Sequence, residues 1–194
     1  MDRATIKAAS KKQIKGNIGI LFLISLVIGL ITGAVGSIPV LGQIAAMLLG
    51  SAFSLATIDI YLGVTEGRKP ELKDAFSQFK NTLPAFCTSF LVGLFTMLWG
   101  LLLVIPGIVK ACSYSQAMYI LADNPGISPK EAINKSKEMM EGHKMEYFIL
   151  GLSFIGWAIL GAFTMGILYI WLLPYMQATF ANYYKSLKGE FHAE

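Results

Sequence analysis

Uncharged, mostly apolar residues fill three long blocks of the chain, and short charged segments divide them. Gly16 to Ile58 contains no charged residue, Asn81 to Ala122 contains only Lys110, and Tyr147 to Tyr184 again contains none. The blocks are 43, 42 and 38 residues long. A helix needs about 20 residues to cross roughly 30 Å of hydrocarbon, so each block is too long for one crossing and suited to two. Lipid cannot satisfy backbone N–H and C=O groups, which leaves helices or closed barrels, and barrel strands alternate polar with apolar residues. Unbroken apolar runs therefore predict an all-α, polytopic transmembrane helical bundle with six spans in three hairpins. Pro and Gly interrupt the first two blocks at Gly36 to Pro39 and at Ile105, Pro106 and Gly107, and Gly161 to Gly166 marks a weaker turn in the third. The predicted spans are 17–36, 41–63, 82–105, 108–122, 146–163 and 167–186. The fourth is short and carries Lys110.

The charged segments carry a pattern of their own. Ser10 and Lys11 are followed after four residues by Gly16 and Asn17, and Ser136 and Lys137 by Gly142 and His143 at the same spacing. Before the second block, Phe79, Lys80 and Asn81 hold the corresponding place, preceded by Leu72, Ala75, Phe76 and Phe79 at the i, i+3, i+4, i+7 spacing of an amphipathic helix. The third segment is the best defined, with Ser128 as N-cap, Pro129 at N1 and Glu131 at N3. Ala132, Ile133, Ser136, Met139 and Met140 then share one face, while Lys130, Glu131, Lys137, Glu138 and Glu141 lie towards another. Each hairpin is thus expected to follow an amphipathic elbow helix lying in the inner headgroup layer. The unit of elbow plus two spans is expected three times within one membrane domain, over about 1–65, 66–125 and 126–194. Such a repeat serves either architecture or a transport pathway.

Composition excludes a soluble globule: 55% of residues are hydrophobic and 14% charged, against about 25% charged in soluble domains. Every one of the 16 Lys and Arg except Lys110 lies outside the blocks. If the blocks are hairpins, all the basic segments share one side, and the positive-inside rule makes it cytoplasmic, with both termini there. The basic start followed by apolar residues also fits a signal peptide cleaved near Gly33 to Gly36. The apolar run continues into a second span, so a retained anchor is expected. The net charge of +4 comes without a basic face or binding motif on a soluble domain, so nucleic acid gains no support. The expected partner is the bilayer, with anionic lipid headgroups at the basic elbows; a homo-oligomer or membrane partner is the further expectation.

Candidate chemistry is sparse. No Walker A, HExxH, GxSxG or dinucleotide fingerprint occurs, and no cofactor or metal site is expected. Cys87 and Cys112 lack a CxxC or Cys/His setting and read as packing residues. Ionisable groups at membrane depth are functional candidates, which singles out Asp59 and Lys110. Asp59 also lies near the cytoplasmic end of its span, and Lys110 can snorkel from the outer end of its own. The fourth span is the most polar, with Ser113, Tyr114, Ser115, Gln116 and Tyr119 beside Lys110, so any cavity is expected there. Asp59, Lys110, Tyr114, Gln116 and His143 together make the candidate polar site, and His192 lies in the tail. Gln43, Thr57, Gln177 and Asn182 read as interhelical hydrogen-bonding groups. Gly42, Ala46, Gly50 and Ser54, with Ser25, Gly29 and Gly33, repeat at intervals of four and predict close approach of the first two spans, homodimerisation being the alternative.

The run Ile105 to Lys110, then Tyr114, Met118 to Pro125, Ala132 and Ile133, and Ser136 to Lys144, resembles domain of unknown function 975. That is a family of uncharacterised bacterial multi-pass membrane proteins, and the resemblance covers most of the chain. The chain is also distantly similar to the membrane domain attached to some glycerophosphodiester phosphodiesterases. The family resemblance implies the bacterial cytoplasmic (inner) membrane and brings no established activity or catalytic residue. Phosphodiesterase chemistry is not implied, because it belongs to a separate soluble barrel.

The functional expectation is a non-enzymatic integral membrane protein that organises or regulates envelope lipids or partner proteins. The alternative is a small transporter or channel subunit with a polar pathway near the fourth span. A cavity reaching Lys110 or Asp59 favours transport; dry, close-packed interfaces favour the first reading. An intramembrane enzyme would require Asp59, Tyr114, Gln116 and His143 to converge on one pocket.

Overall fold

Each apolar block forms helices that pair within the block. A computed structural model describes residues 3–164 and 166–191. Its helices are α1 (Arg3–Gln13), α2 (Ile18–Gly36), α3 (Leu41–Thr65), α4 (Thr82–Leu102), α5 (Val104–Tyr114), α6 (Ala117–Asp123), α7 (Pro129–Met139), α8 (Lys144–Leu152), α9 (Ile155–Phe163) and α10 (Tyr169–Lys188). No strand occurs among the described residues. Four helical stretches are long and apolar enough to cross a membrane: Ile18–Gly36, Leu41–Thr65, Leu72–Leu102 and Lys144–Phe163. α2 packs on α3, α4 on α5 and α9 on α10, while α3 sits centrally against α2, α4, α6 and α10.

The turns show how sequence ends each helix. Between α2 and α3, Val40 stands at φ 60° and ψ −69°, and the Leu41 N–H donates to the Pro39 carbonyl at 2.8 Å. This is a strained γ-turn, rare for any residue and rarer for a β-branched one. Between α4 and α5 a single extended residue, Leu103, makes the break. Pro106 lies in the first turn of α5, where a missing N–H costs nothing. The second turn therefore falls earlier than the expected Ile105 to Gly107, and α5 begins at Val104 rather than 108.

The expected fourth span, 108–122, is not one helix. It breaks at Ser115 and Gln116, because the Gln116 N–H donates to the Ser136 Oγ of α7 at 3.2 Å instead of to a carbonyl of its own helix. The Ser136 hydroxyl passes its own hydrogen to the Ser113 carbonyl at 2.8 Å. The fifth expected span, 146–163, also divides, at Ser153 and Phe154. There the Lys7 ammonium of α1 bonds the Ser153 hydroxyl at 2.5 Å and lies 4.3 Å from the Phe154 ring centre.

The second elbow also departs from expectation. It is not an amphipathic α-helix but two 3-10 turns, Leu72–Phe76 and Phe79–Asn81. A 3-10 turn has three residues per turn, so the i, i+3 pairs Leu72 with Ala75 and Phe76 with Phe79 suit it equally. A capping box between Glu71 and Asp74 fixes its start. α7 forms as its sequence indicates: the Glu131 N–H donates to the Ser128 Oγ at 3.2 Å, and Ala132, Ile133, Ser136 and Met140 are fully buried.

The elbows bury their apolar faces against protein. α1 lies on α10, the second elbow on α3, and α7 on α4, α5 and α6. Each elbow thus seats on the helix that closes the block before it, and the first seats on the last. The contacts differ in chemistry. Asn182 Nδ2 donates to Ser10 Oγ at 2.8 Å and to Gln13 Oε1 at 2.6 Å, whereas Phe76 and Phe79 meet Phe53 edge-on at 5.8 and 5.2 Å. The residues that start the following helices, Asn17, Asn81 and His143, share one backbone conformation, with φ −109°, −101° and −107° and ψ 2°, 18° and 0°.

The small-residue ladder works only near the first turn. A Cβ on Gly42 would collide with the Val35 carbonyl oxygen, but one on Gly29, Gly33 or Gly50 would meet nothing within 4 Å. α2 and α3 therefore approach closely at their turn end and not along the whole stripe. The matching approach of α4 to α5 is at Gly107, where a Cβ would lie 2.7 Å from the Gly100 Cα.

Candidate functional site at the charged end

Of the five sequence candidates, Tyr114 and Gln116 stand together, and Asp59, Lys110 and His143 have partners of their own. Tyr114 and Gln116 flank the break between α5 and α6, where α7 covers both. Tyr114 is buried, 6.2 Å from the Phe95 ring, with the Lys137 ammonium 5.6 Å from its own ring centre. Gln116 is also buried. Its Nε2 donates to Ser115 Oγ at 2.9 Å, and its Oε1 has no hydrogen-bond partner among the described residues. His143 follows α7, bonds Glu146 through Nδ1 at 3.0 Å and accepts the Tyr183 hydroxyl of α10 on its carbonyl at 3.1 Å.

Asp59 and Lys110 are satisfied elsewhere. Arg68 folds back along the end of α3, pairing with Asp59 at 3.3 Å and donating to the Asp59 carbonyl at 2.8 Å. The guanidinium crosses Gly63, where a Cβ would collide with its Nε; glycine is what admits it. Lys110 lies over the Trp99 ring at 4.9 Å, a cation–π contact that stabilises an ammonium by about 0.5–2 kcal/mol. Neither residue shares a partner with the other three. His192 lies outside the described residues.

A larger feature stands where α1, α2, the segment after α3, and α10 meet. It is a cleft of about 660 Å³, with Lys12, Gln13, Asn17, Lys69, Asn182 and Lys185 among its lining residues. Its floor is a polar chain: the Gln13 amide donates to the Thr65 carbonyl at 3.3 Å and accepts from Asn182. Lys185, almost fully buried, reaches Glu66 at 2.8 Å. Nearby, Asp123 receives both the Tyr184 hydroxyl at 3.0 Å and the Lys188 ammonium at 2.7 Å. On α1, burial pushes the Lys7 ammonium below its usual pKa, and the charge of Arg3 adds to the shift. The sequence gives no local signal for the cleft, because its residues come from the two ends and the first third of the chain. Lys12 and Lys69 read there only as topology charges, and Asn182 only as an interhelical polar group.

At the level of the apolar helices, a notch of about 290 Å³ is lined by Ser54, Thr57, Tyr119 and Gln177. Tyr119 stands in the expected polar span, but neither Lys110 nor Asp59 lines this notch.

The architecture is that of an all-helical protein with four candidate membrane-spanning helices. The chain belongs to the family described as protein of unknown function (DUF975), whose family model matches residues 1–113 and 100–190. No curated protein and no solved structure matches the chain at a significant level. The more distant likeness to the membrane domain of glycerophosphodiester phosphodiesterases gains no support from these comparisons.

Proposed function

We propose that this chain is a non-enzymatic protein of the bacterial cytoplasmic membrane that organises or regulates envelope lipids or partner proteins, with its basic elbows meeting anionic headgroups. In this reading it crosses six times as three hairpins, both termini are cytoplasmic, and elbow plus helix pair is one unit used three times. The carrying observation is the division of the surface. Large apolar side chains are exposed along one end, including Leu101, Val104, Phe163 and Ile167, while Lys and Arg gather at the other. The shared docking of elbows and the common conformation of Asn17, Asn81 and His143 support the threefold unit. α5, α6 and α10 cross here although two are short, because α5 and α6 together supply the length of one span.

The test is lipid retention. The full chain, extracted from bacterial membranes in mild detergent, should retain anionic phospholipid at a higher fraction than the parent membrane, measured by mass spectrometry of the bound lipid. Retained lipid of bulk composition sinks the lipid branch of the proposal. A transporter or channel subunit is the second reading, supported by the notch where Thr57, Tyr119 and Gln177 place polar groups among apolar helices.

A further inference from the structure

Among the described residues, the charges around the 660 Å³ cleft do not cancel. The two carboxylates that line it among those residues are already occupied: Glu66 by Lys185 at 2.8 Å and Glu190 by Lys188 at 2.8 Å. Arg68 is engaged by Asp59 at 3.3 Å. Lys12 and Lys69 then remain, both exposed, on walls contributed by α1 and by the segment after α3. Asn17 adds a third donor, because its side chain makes no capping hydrogen bond at the start of α2. Two ammonium groups and one carboxamide around a polar floor form a receptor for an oxyanion.

The position of the cleft says which oxyanion. Asn17 directly precedes the uncharged helix α2, and Thr65 is the last residue of the apolar helix α3. The cleft therefore lies where apolar helix surface gives way to charge, the level of lipid phosphates in a bilayer. Val64 and Phe191 give it apolar wall as well, suited to glycerol and the first acyl carbons. Its volume falls in the roughly 300–1,000 Å³ of small-molecule sites.

We propose that this cleft is a headgroup site that binds the phosphodiester of an anionic phospholipid through Lys12, Lys69 and Asn17. The assignment rests on the lipid reading given above and assigns it a place. A zwitterionic headgroup brings its own cation towards the two lysines, so the site discriminates against it. The polar chain from Thr65 through Gln13 to Asn182 holds the walls at fixed spacing, so the receptor exists before the lipid arrives.

The experiment uses the full chain in dodecyl maltoside and follows Tm as dihexanoyl phosphatidylglycerol, dihexanoyl phosphatidylcholine or inorganic phosphate is added at constant ionic strength. Phosphatidylglycerol should raise Tm saturably and phosphatidylcholine should not. The double variant Lys12→Gln, Lys69→Gln should bind phosphatidylglycerol about thirtyfold more weakly. Its lipid-free Tm should stay at the wild-type value, since neither lysine has a side-chain partner among the described residues. Lys80→Gln with Lys130→Gln removes the same charge outside the cleft and should leave binding unchanged. Equal weakening by both pairs, or by the second alone, overturns the cleft assignment while anionic lipid binding stands. Half-saturation by inorganic phosphate at the same concentration as phosphatidylglycerol overturns the lipid source. Failure of phosphatidylglycerol to act on the wild type, with bulk-like retained lipid, removes the underlying reading as well.

Discussion

The two ends of the bundle are built by different rules. At the charged end, elbows fill the seams between helices, and Ser10, Ser136, Asn182, Tyr183 and Tyr184 are buried with their hydrogen-bonding groups engaged. At the apolar end, Leu101 to Ile105 are all exposed, and contact narrows to points such as Gly107 on Gly100 and the Tyr169 hydroxyl on the Ala158 carbonyl at 2.7 Å. Solvent explains the difference. Lipid is as apolar as leucine and gives helices no hydrophobic reason to associate, so close approach at small residues and isolated hydrogen bonds must suffice. Near water, the elbows gain from burying Ile6, Ile133 and Met140, about 25 cal/mol per Å² removed from solvent. The arrangement of helices is therefore specified mainly at the charged end.

The sharpest break would come from topology, where the outcome is all or none. In a variant lacking Cys87 and Cys112, single cysteines at Ser37, Leu103 and Thr164 mark the apolar-end turns, and Ser77 and Lys130 mark the elbows. With six crossings, an impermeant thiol reagent on intact cells labels the first three and neither of the others. Labelling at Ser77 or Lys130 places the two ends on the wrong sides and removes the common cytoplasmic face proposed for the elbows.

Next in size is Asn182→Leu at the charged end. Leucine removes both donors to α1, orphans the Gln13 Oε1, and leaves Ser10 only its bond to the Ile6 carbonyl at 2.8 Å. Each buried polar group left unpaired costs about 1–3 kcal/mol, so a loss of about 3 kcal/mol is expected. Unfolding in mixed micelles of increasing SDS fraction measures it. A loss below about 0.5 kcal/mol, the range of surface changes, means that α1 is not what secures α10.

How legible these features were follows the same division. The apolar blocks give the helices, because the absence of charge over 16–58 is a local property that lipid reads directly. α7 was legible to its cap, since Ser128, Pro129 and Glu131 are neighbours in sequence. The break at Gln116 was not, because the hydroxyl that captures its N–H belongs to Ser136, and nothing near Gln116 announces it. The small-residue stripe misled for a related reason: spacing shows that Gly29, Gly33 and Gly50 permit close approach, not that a helix arrives. Of the five candidate residues, Tyr114 and Gln116 meet at one break and His143 follows the helix that covers it. Asp59 was drawn off by Arg68, which Gly63 admits.

The smallest effect is expected at Leu101, and it tests what covers the apolar end. Its side chain is 74% exposed, and in a membrane or micelle it faces hydrocarbon whether or not the helices are associated. Leu101→Ala should then change stability by no more than about 0.5 kcal/mol. A second copy or another membrane protein seated on that end makes a different demand. The same truncation would empty a packed site, cost about 2–5 kcal/mol as core truncations do, and make Tm depend on protein concentration. SDS titration at two protein concentrations separates the cases. A small, concentration-independent change means that the exposed leucines meet lipid, and the contrast between the ends belongs to the single chain.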